Sequence, residues 1–541
     1  MVKACKITEK SIPLNIVFGG CLVFLTLTIL VPLILVLTLP SLSGFAEILS
    51  SESLWETAAN TFAECICSSS MAVIIGFVYA YAVIRGKIPF AKFFAYIPFL
   101  HLMTPPFVGG LSFILLLGKN GFITSRILGL DVSLYGFPGL VIAQTLCFFP
   151  VAYMIAFNVL SGTHNVYESV SFTLGGSKLK TFFRVTLPLA LPGIIAAFLF
   201  VAVSVLSDFG NPMIVAGRYK VLAVEVYTSL TGWMDPSKSS VYGLVLIIPS
   251  LFIFILQRKL LKKYMPSSSV IGGKIQLRET SVKSVSSAAR ILLTVFCAFI
   301  TLCIFAQVAA LTAGTFQRLW GIHTEFTWEH LASVKNCGME LFNSIRFAAA
   351  GACISCIVCV CCSYFVYRTS LPLKKYVDLL CQLPSAVPGT LMGLAFTITA
   401  SKLGIQNSAA LIITAIAIGF MPFSYRLIST SFAQIKNSLD DGARSLGASR
   451  LTVLRTVIAP LSLSPISDAF LYDFVRGVGT MSAVIFLISF DTPLASVKIL
   501  NLAEQGFWGD AAALAMVLTL ITFSVLLAVK SLLRKKQGKL L

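Results

Sequence analysis

The sequence predicts an all-α, polytopic membrane protein with about twelve transmembrane helices in two homologous six-helix halves. Three observations lead to this prediction. Hydrophobic residues make up 57% of the 541 residues and charged residues only 12%, about half the charged share of a soluble globular protein. Apolar stretches long enough to cross a bilayer recur along the whole chain. A short segment with glycine and proline at a fixed spacing occurs twice, about half a chain apart.

The apolar stretches fall into two sets of six. The predicted spans of the first set are 14–39, 61–84, 91–118, 137–160, 189–210 and 241–257. The predicted spans of the second set are 291–314, 343–366, 377–401, 408–430, 461–488 and 511–530. The first span is too long for the apolar core of a signal peptide, so we expect it to remain as a membrane helix.

A stretch rich in Ser and Lys separates the two sets, and its composition is typical of a flexible linker. We therefore divide the chain into a first half, a linker and a second half, over residues 1–257, 258–290 and 291–541. An even number of spans in each half returns the chain to the side where it began. A short cytoplasmic linker is then enough to join two copies.

Most of the 41 Lys and Arg residues lie in short loops on one side of the predicted membrane. Basic residues concentrate in this way on the cytoplasmic side, so we expect both chain termini in the cytoplasm. The same distribution explains the net charge of +19 without a nucleic-acid partner. Since no basic stripe with interleaved aromatic residues occurs, we expect membrane lipid but no nucleic acid around this chain.

Five of the 14 cysteines form a run with metal-like spacing at positions 353, 356, 359, 361 and 362. The run lies inside a predicted apolar span, where cysteine acts as a small hydrophobic side chain. We therefore expect no metal site there. The four Gly-Lys pairs begin at Gly86, Gly118, Gly273 and Gly538, and none is followed by Ser or Thr. Without a phosphate-binding loop or another catalytic pattern, we expect no enzyme activity and no cofactor.

The repeated segment runs from an acidic residue through a glycine to a proline. Its members are Glu168, Gly175 and Pro188 in the first half and Asp440, Asp441, Ala443, Gly447 and Pro460 in the second. The glycine stands thirteen residues before the proline in both copies. The repeat offset is the distance along the chain from Gly175 to Gly447. Each copy predicts a short helix, a glycine turn with positive φ, a second short helix and a proline that begins the next span.

Both copies resemble the EAA loop of ABC-importer permeases. The second copy is close to that pattern over 443–449, whereas the first has Ser169, Val170 and Ser171 where an acidic residue and two alanines are usual. The resemblance implies that each loop docks into a groove on a cytoplasmic ABC ATPase dimer, the first copy more weakly or in a different shape. The alternative is an amphipathic turn at the membrane surface without a partner.

A narrower resemblance, to fused permeases for ferric iron, covers most of the chain. It rests on residues 207–212 with 219–227, 135–139 with 144–145, and 474–476 with 482–487. It implies a permease subunit in the bacterial inner membrane, served by a periplasmic or lipoprotein solute-binding protein. Relatives in the same superfamily carry thiamine, polyamines or phosphonates, which stay alternatives to iron. Because ferric iron prefers hard oxygen ligands, we expect its tight binding in the delivery protein.

Charged and polar residues within the spans are candidates for the transport pathway, because they are costly there and usually face a cavity or a partner. Asp473 and Arg476 lie three residues apart in the eleventh span, either as a structural pair or on the pathway. Asp208 and Asn211 end the fifth span, where they either cap the helix or line its outer mouth.

Prolines interrupt the third and ninth spans at similar places, at Pro106 and Pro388 among others. Interrupted helices at matching positions of two halves point to a transport pathway, although they also occur as packing kinks. We expect Glu64 and Asp378, near helix ends, to be structural.

One rival interpretation stays open, a twelve-helix secondary transporter coupled to an ion gradient. It explains the intramembrane charges and the duplication without partner proteins. It does not explain why both halves carry the same cytoplasmic hairpin. The sequence therefore favours the importer permease.

Overall fold

The computed structural model describes residues 12–102, 104, 106–129, 134–162, 166–264, 286–405 and 409–540. Helices fill almost all of this length, because a helix satisfies every backbone hydrogen bond within one apolar segment. The prediction of an all-α, polytopic membrane fold is confirmed.

The first half contains thirteen α-helices in the described residues. They are α1 (Ile12–Leu25), α2 (Val31–Leu37), α3 (Leu42–Leu49), α4 (Glu52–Ile84), α5 (Ala91–Leu102), α6 (Pro106–Leu117), α7 (Phe137–Gly162), α8 (Val166–Thr173), α9 (Lys178–Thr181), α10 (Leu187–Leu206), α11 (Gly210–Val215), α12 (Leu222–Thr231) and α13 (Pro236–Tyr264). Short π-helical turns join α1 to α2 and α9 to α10, at Thr26–Leu30 and Phe182–Thr186, and a third lies at Phe122–Ile127.

The second half contains twelve α-helices in the described residues and one small hairpin. The helices are α14 (Ser287–Phe316), α15 (Glu329–Ser333), α16 (Gly338–Arg368), α17 (Lys374–Gln382), α18 (Gly389–Lys402), α19 (Ala409–Gln434), α20 (Asn437–Ser445), α21 (Arg450–Val453), α22 (Ala459–Leu461), α23 (Leu463–Val478), α24 (Ala495–Glu504) and α25 (Trp508–Leu540). Strands β1 (Gln317–Leu319) and β2 (His323–Phe326) pair antiparallel after α14. Single 3₁₀ turns lie at Val334–Cys337 and Leu383–Ala386, and a π turn lies at Leu454–Ile458.

Ten described helices are long and apolar enough to cross a membrane, and the bent pair formed by α17 and α18 brings the number to eleven. The expected number was about twelve. Several of the predicted spans are not continuous helices, and two of these are divided near a proline. The span 91–118 is divided between α5 and α6, and the span 377–401 bends by 110° between Ala386 and Gly389. Proline at these breaks removes a backbone donor and clashes with the preceding turn.

The eleventh predicted span, 461–488, is wrong in its second part. Helix α23 ends at Val478, and residues 479–494 form turns rather than helix. Gly477 and Gly479 flank this end, and glycine is a weak helix former. The apolar residues that follow are buried, so they raise the hydropathy of the window without continuing the helix.

Each half contributes its first long helix to the other half. Helices α1 and α2 pack against α16, α17 and α18, while α14 packs against α4, α5 and α6. The rings of Phe18 and Phe365 meet edge to face at 5.1 Å, and the Tyr79 hydroxyl lies 3.2 Å from that of Thr301. One apolar core therefore runs through both halves.

The predicted linker 258–290 falls largely outside the described residues, because 265–285 are not described. Helix α13 extends into the predicted linker as far as Tyr264, and helix α14 begins within the linker at Ser287. The division at 257 and 291 stays a prediction.

Candidate functional site

The repeated segment folds as a helical hairpin in both halves. Helix α8 is followed by Gly175 with φ +80°, and α20 is followed by Gly447 with φ +85°. Positive φ is the conformation that glycine adopts at no steric cost, which explains why glycine stands at both turns. Ser177 and Ser449 then cap α9 and α21, since their Oγ atoms accept from the backbone N–H of Lys180 and Thr452 at 3.3 and 3.2 Å.

The prolines that close the repeat begin the next membrane helix. Pro188 is the second residue of α10, and Pro460 is the second residue of α22. Proline is tolerated in the first turn of a helix, where its missing N–H would have no partner. In the second half α22 ends at Leu461 and the chain continues as α23 from Leu463. The two hairpins thus lead into their helices differently.

A buried ion pair fixes the first hairpin to the end of α4. Arg85 Nε lies 3.1 Å from Glu168 Oε1, and its Nη2 donates to the Leu160 carbonyl at 3.1 Å. The Thr186 hydroxyl donates to the same Glu168 oxygen at 3.0 Å. Glu168 is only 7% exposed, so it positions the hairpin rather than presenting a charge to a partner. The arginine was not a candidate in the sequence analysis.

The second hairpin has the same anchor. Arg368, the last residue of α16, lies 3.3 Å from Asp440 through Nη1 and donates to Asn437 Oδ1 at 2.7 Å. Its Nη2 donates to the carbonyls of Phe432 and Ile435. Glu168 and Asp440 are themselves related by the repeat offset. Each hairpin is therefore fixed by an arginine at the carboxyl end of a long helix of its own half, α4 in the first half and α16 in the second.

The outer surface of each hairpin carries an exposed apolar side chain at the turn. Leu174 is 81% exposed and Leu446 is 90% exposed, and the repeat offset relates these two leucines as well. Asp441 is exposed beside them, while Ala443 is half-buried against the core. The two hairpins therefore expose an apolar side chain at the same place.

A cavity of about 240 Å³ lies between the two halves. The first half contributes Ser204, Ser207, Asp208 and Phe209 to its wall. The second half contributes residues from the break before α18, from α19, from α23 and from the turns that follow, namely Ser385, Arg426, Tyr472, Arg476 and Ser482 among others. Asp208 and Arg476, two of the predicted pathway residues, therefore meet at one cavity.

A buried polar network lies behind Asp208. The Asn211 side-chain amide donates to Asp208 Oδ2 at 2.9 Å, and Gln144 Nε2 donates to the same oxygen at 3.2 Å. Gln144 Nε2 also donates to Glu64 Oε1 at 2.6 Å, and the Ser68 hydroxyl donates to Gln144 Oε1 at 2.9 Å. From the sequence, Glu64 is expected to be structural, and Gln144 enters only through the resemblance to permeases for ferric iron. The structure joins both to the pathway candidates.

Asp473 lies apart from this cavity wall. It is fully buried, and the Ser424 hydroxyl donates to its Oδ1 at 2.6 Å. Among the described residues no ion pair joins Asp473 to Arg476, although the two lie three positions apart on α23. The spacing alone suggested a pair, but packing turns Asp473 toward α19 and leaves Arg476 at the cavity.

The prolines of the broken spans lie beside the pathway candidates. Pro388 is buried and precedes the first residue of α18, but Pro384, Val387 and Gly389 are the neighbours that line the cavity. Pro106 begins α6, which packs against α11. Asp378 is structural in the described contacts, since it pairs with Arg258 of α13 at 2.5 Å.

No group of three or more His, Cys, Asp or Glu side chains is placed to hold a metal ion within the described residues. The cysteines at 356, 359 and 362 are buried in α16 among apolar neighbours. The cavity between the two halves and the two hairpins are the features of the described residues that a transport function would use.

Two segments of the chain match the model of one protein family, described as the binding-protein-dependent transport system inner membrane component. The matched residues are 71–265 and 360–535, which together make up more than half of the chain. Each segment contains one of the two hairpins.

Curated relatives are similar over most of the chain. The ferric transport system permease protein FbpB of Actinobacillus pleuropneumoniae is 30% identical over 453 residues, 81% of this chain and 64% of that relative. The Fe(3+)-transport system permease protein FbpB 2 of Haemophilus influenzae is 22% identical over 89% of this chain and 90% of its own length. The putative 2-aminoethylphosphonate transport system permease protein PhnV of Salmonella typhimurium is 23% identical over 43% of this chain. The chain thus spans slightly less than two thirds of the first of these relatives.

Proposed function

Because this chain belongs to the family of binding-protein-dependent transport system inner membrane components, we propose that it is a two-half permease of an ATP-driven solute importer. It is a multi-pass protein of the inner membrane. Its two halves form the translocation pathway between them, and a separate ATPase supplies the energy. The single observation that carries this proposal is the pair of anchored hairpins, one in each half, with an exposed leucine at each turn.

The hairpins are the contact surface for a cytoplasmic ATPase dimer. Each presents a rigid short helix, because Gly175 or Gly447 makes the turn and a buried arginine holds the acidic residue. Leu174 and Leu446 are placed to enter an apolar groove on the partner. Two contact surfaces on one chain match two ATPase subunits, so a second copy of the permease is not needed.

Closure of the ATPase dimer moves the hairpins, and the ion pairs pass this movement to the membrane helices. Arg85 belongs to the end of α4 and Arg368 to the end of α16, so each hairpin and its long helix move as one body. The cavity lies between the two bodies. Rocking of one half against the other then opens the cavity to one side of the membrane at a time.

Ferric iron is the proposed cargo. The relatives that are similar over most of the chain carry ferric or Fe(3+) transport in their names. A solute-binding protein on the outer side delivers the ion, and the permease offers a passage rather than a tight site. The chain termini, the linker and both hairpins lie in the cytoplasm in this arrangement, in agreement with the distribution of Lys and Arg.

Docking is tested with Leu446→Asp and Leu174→Asp in the full chain. Because both side chains are exposed, we expect the variants to fold normally, and we expect binding of the purified ATPase and its stimulated ATP hydrolysis to fall by about tenfold or more. Leu373→Asp is the matched control, since Leu373 is 58% exposed outside the hairpins. ATPase binding equal to the wild type in the double variant would refute the docking role.

Uptake into proteoliposomes separates the importer from a secondary transporter. The importer requires ATP, the ATPase and the binding protein for uptake of ferric iron. Uptake driven by a proton gradient alone would favour the secondary transporter.

A further inference from the structure

Two arginines of the second half line the cavity and form no salt bridge with a carboxylate in the part of the chain that the structure describes. Arg426 on α19 and Arg476 on α23 both line the cavity. Within the described residues, neither guanidinium forms an ion pair, and Arg476 Nε is buried without a hydrogen-bond partner. A cationic group at membrane depth is costly unless it is paired or faces a polar ligand. These two side chains therefore need an explanation beyond packing.

The carboxylates nearby are already engaged. Asp378 accepts from Arg258 through one oxygen and from Tyr425 and Gln382 through the other, at 3.0 and 2.8 Å. Asp208 accepts from two side-chain amides of its own half. With two arginines and one aspartate, the charged side chains of the cavity wall carry a formal charge of +1.

The arginines are not required by the fold, as the first half demonstrates. Helices α7 and α19 correspond at the repeat offset, and both carry a proline at the matching place, Pro150 and Pro422. At this offset Met154 corresponds to Arg426, and Ser204 corresponds to Arg476. The same helix packing is thus built with uncharged side chains in one half and with arginines in the other.

We propose that Arg426 and Arg476 form a binding site for an anionic oxygen ligand, either an inorganic oxyanion or the carboxylate of a chelator. The planar guanidinium matches such oxygens with two parallel hydrogen bonds, which suits arginine better than lysine to this task. The hydroxyls of Tyr472 and Ser482 line the same cavity and supply further donors. If the cargo is ferric iron, as proposed above, the metal then crosses together with an anion that lowers its charge.

Binding is measured with the full-length chain in lipid nanodiscs by calorimetry, with inorganic phosphate and with citrate as separate probes. We expect saturable binding of at least one of them, and the stronger probe identifies the source of the anionic oxygens. Arg426→Met and Arg476→Ser install the residues of the first half, and each is expected to weaken binding about tenfold or more. Arg318→Gln is the control, because Arg318 is exposed on β1, away from the cavity, and forms an ion pair with the exposed Glu325.

Lysine variants test whether a loss of binding reflects the lost guanidinium group or a loss of folding. Arg426→Lys and Arg476→Lys keep the charge but lose the paired donors, so we expect binding between that of the wild type and that of the uncharged variants. Absence of saturable binding to the wild type, or equal binding by the wild type and the double variant Arg426→Met/Arg476→Ser, overturns the anion site.

Reconstituted uptake distinguishes this inference from the proposed cargo. Iron uptake by a wild type that binds neither anion refutes the anion site and leaves the iron importer standing. Anion binding by a reconstituted importer that takes up no iron refutes the iron cargo and leaves the anion site standing.

Discussion

Arg85 lies 3.1 Å from Glu168, and this ion pair joins two positions that are 83 residues apart in the chain. It connects the end of a long membrane helix to the first helix of a surface hairpin. The second half repeats it with Arg368 and Asp440 at 3.3 Å. The side chain of Glu168 is 10% exposed and that of Asp440 is 16% exposed, and this difference has measurable consequences.

Glu168→Gln is expected to lower the free energy of unfolding by about 3–5 kcal/mol, because it removes the carboxylate charge that faces the Arg85 guanidinium in a buried site. The side chains of Arg85 and Glu168 are 3% and 10% exposed, so water cannot replace the lost partner. Thermal unfolding of the purified chain in detergent measures the change. The exposed Glu329→Gln is the control, with an expected change within about 0.5 kcal/mol. Equal stability of the two variants would contradict the structural role of the pair.

Asp440→Asn is expected to cost less, about 1–2 kcal/mol. Arg368 keeps its bonds to Asn437 and to the carbonyls of Phe432 and Ile435 when the aspartate loses its charge. The Asp440 side chain is also 16% exposed, so water reaches it more easily. The same unfolding measurement ranks the two variants. A larger loss for Asp440→Asn than for Glu168→Gln would show that the second anchor is the stronger one.

Gly393→Ala is expected to destabilise the chain by about 1–3 kcal/mol through overpacking. A Cβ atom at Gly393 would lie 2.5 Å from the Ala483 carbonyl oxygen and 3.0 Å from the Phe486 ring. The obstacle is backbone, which cannot rotate away. Gly20→Ala is the matched control in a helix, since nothing lies within 4 Å of its Cβ position. Thermal unfolding of both variants gives the comparison, and an unchanged midpoint for Gly393→Ala would mean that α18 does not pack this closely on the turns after α23.

The hairpins could be predicted from the sequence because their signals are local. A glycine turn, a serine cap and a proline in the first turn of the next helix each depend on a few neighbouring residues. The anchoring arginines could not be found in this way. Three helices, α5, α6 and α7, separate Arg85 from Glu168 in the chain, and only the fold brings the two residues together. Their matching positions at the ends of α4 and α16 are a signal that a comparison of the two halves can reveal.

The broken spans show a second limit of the sequence. A hydropathy window measures how apolar a segment is, not whether its helix is continuous. Residues 461–488 and 91–118 are apolar throughout, yet each changes direction near glycine or proline. Two residues of the cavity wall, Asp208 and Arg476, could be suggested from the sequence, because charged side chains are rare within membrane spans. Gln144 gave no such signal, because its role depends on three partners from other helices and turns.

Gln144→Ile tests whether the carboxylates of Glu64 and Asp208 depend on the amide donor that they share. At the repeat offset Gln144 corresponds to Ile416 of the second half, where Gly351 packs against that isoleucine. The variant therefore installs a side chain that the fold accepts at the equivalent place. It also removes the donor shared by Glu64 and Asp208, so we expect a loss of about 2–5 kcal/mol in unfolding free energy, more than an ordinary hydrogen bond.

The matched control for this variant is Ile416→Val, which removes one methylene from an apolar contact and is expected to cost about 0.5–1.5 kcal/mol. Glu64→Gln, combined with Gln144→Ile, removes the charge of one of the two carboxylates that lose their amide donor, and it is expected to recover part of the loss.

Thermal unfolding measures stability, and uptake in proteoliposomes measures transport. If Gln144→Ile were as stable as the wild type, the two carboxylates would not depend on the amide. Recovered stability without recovered uptake would show that the carboxylates serve the pathway rather than the packing, because the second half packs the same helices without them.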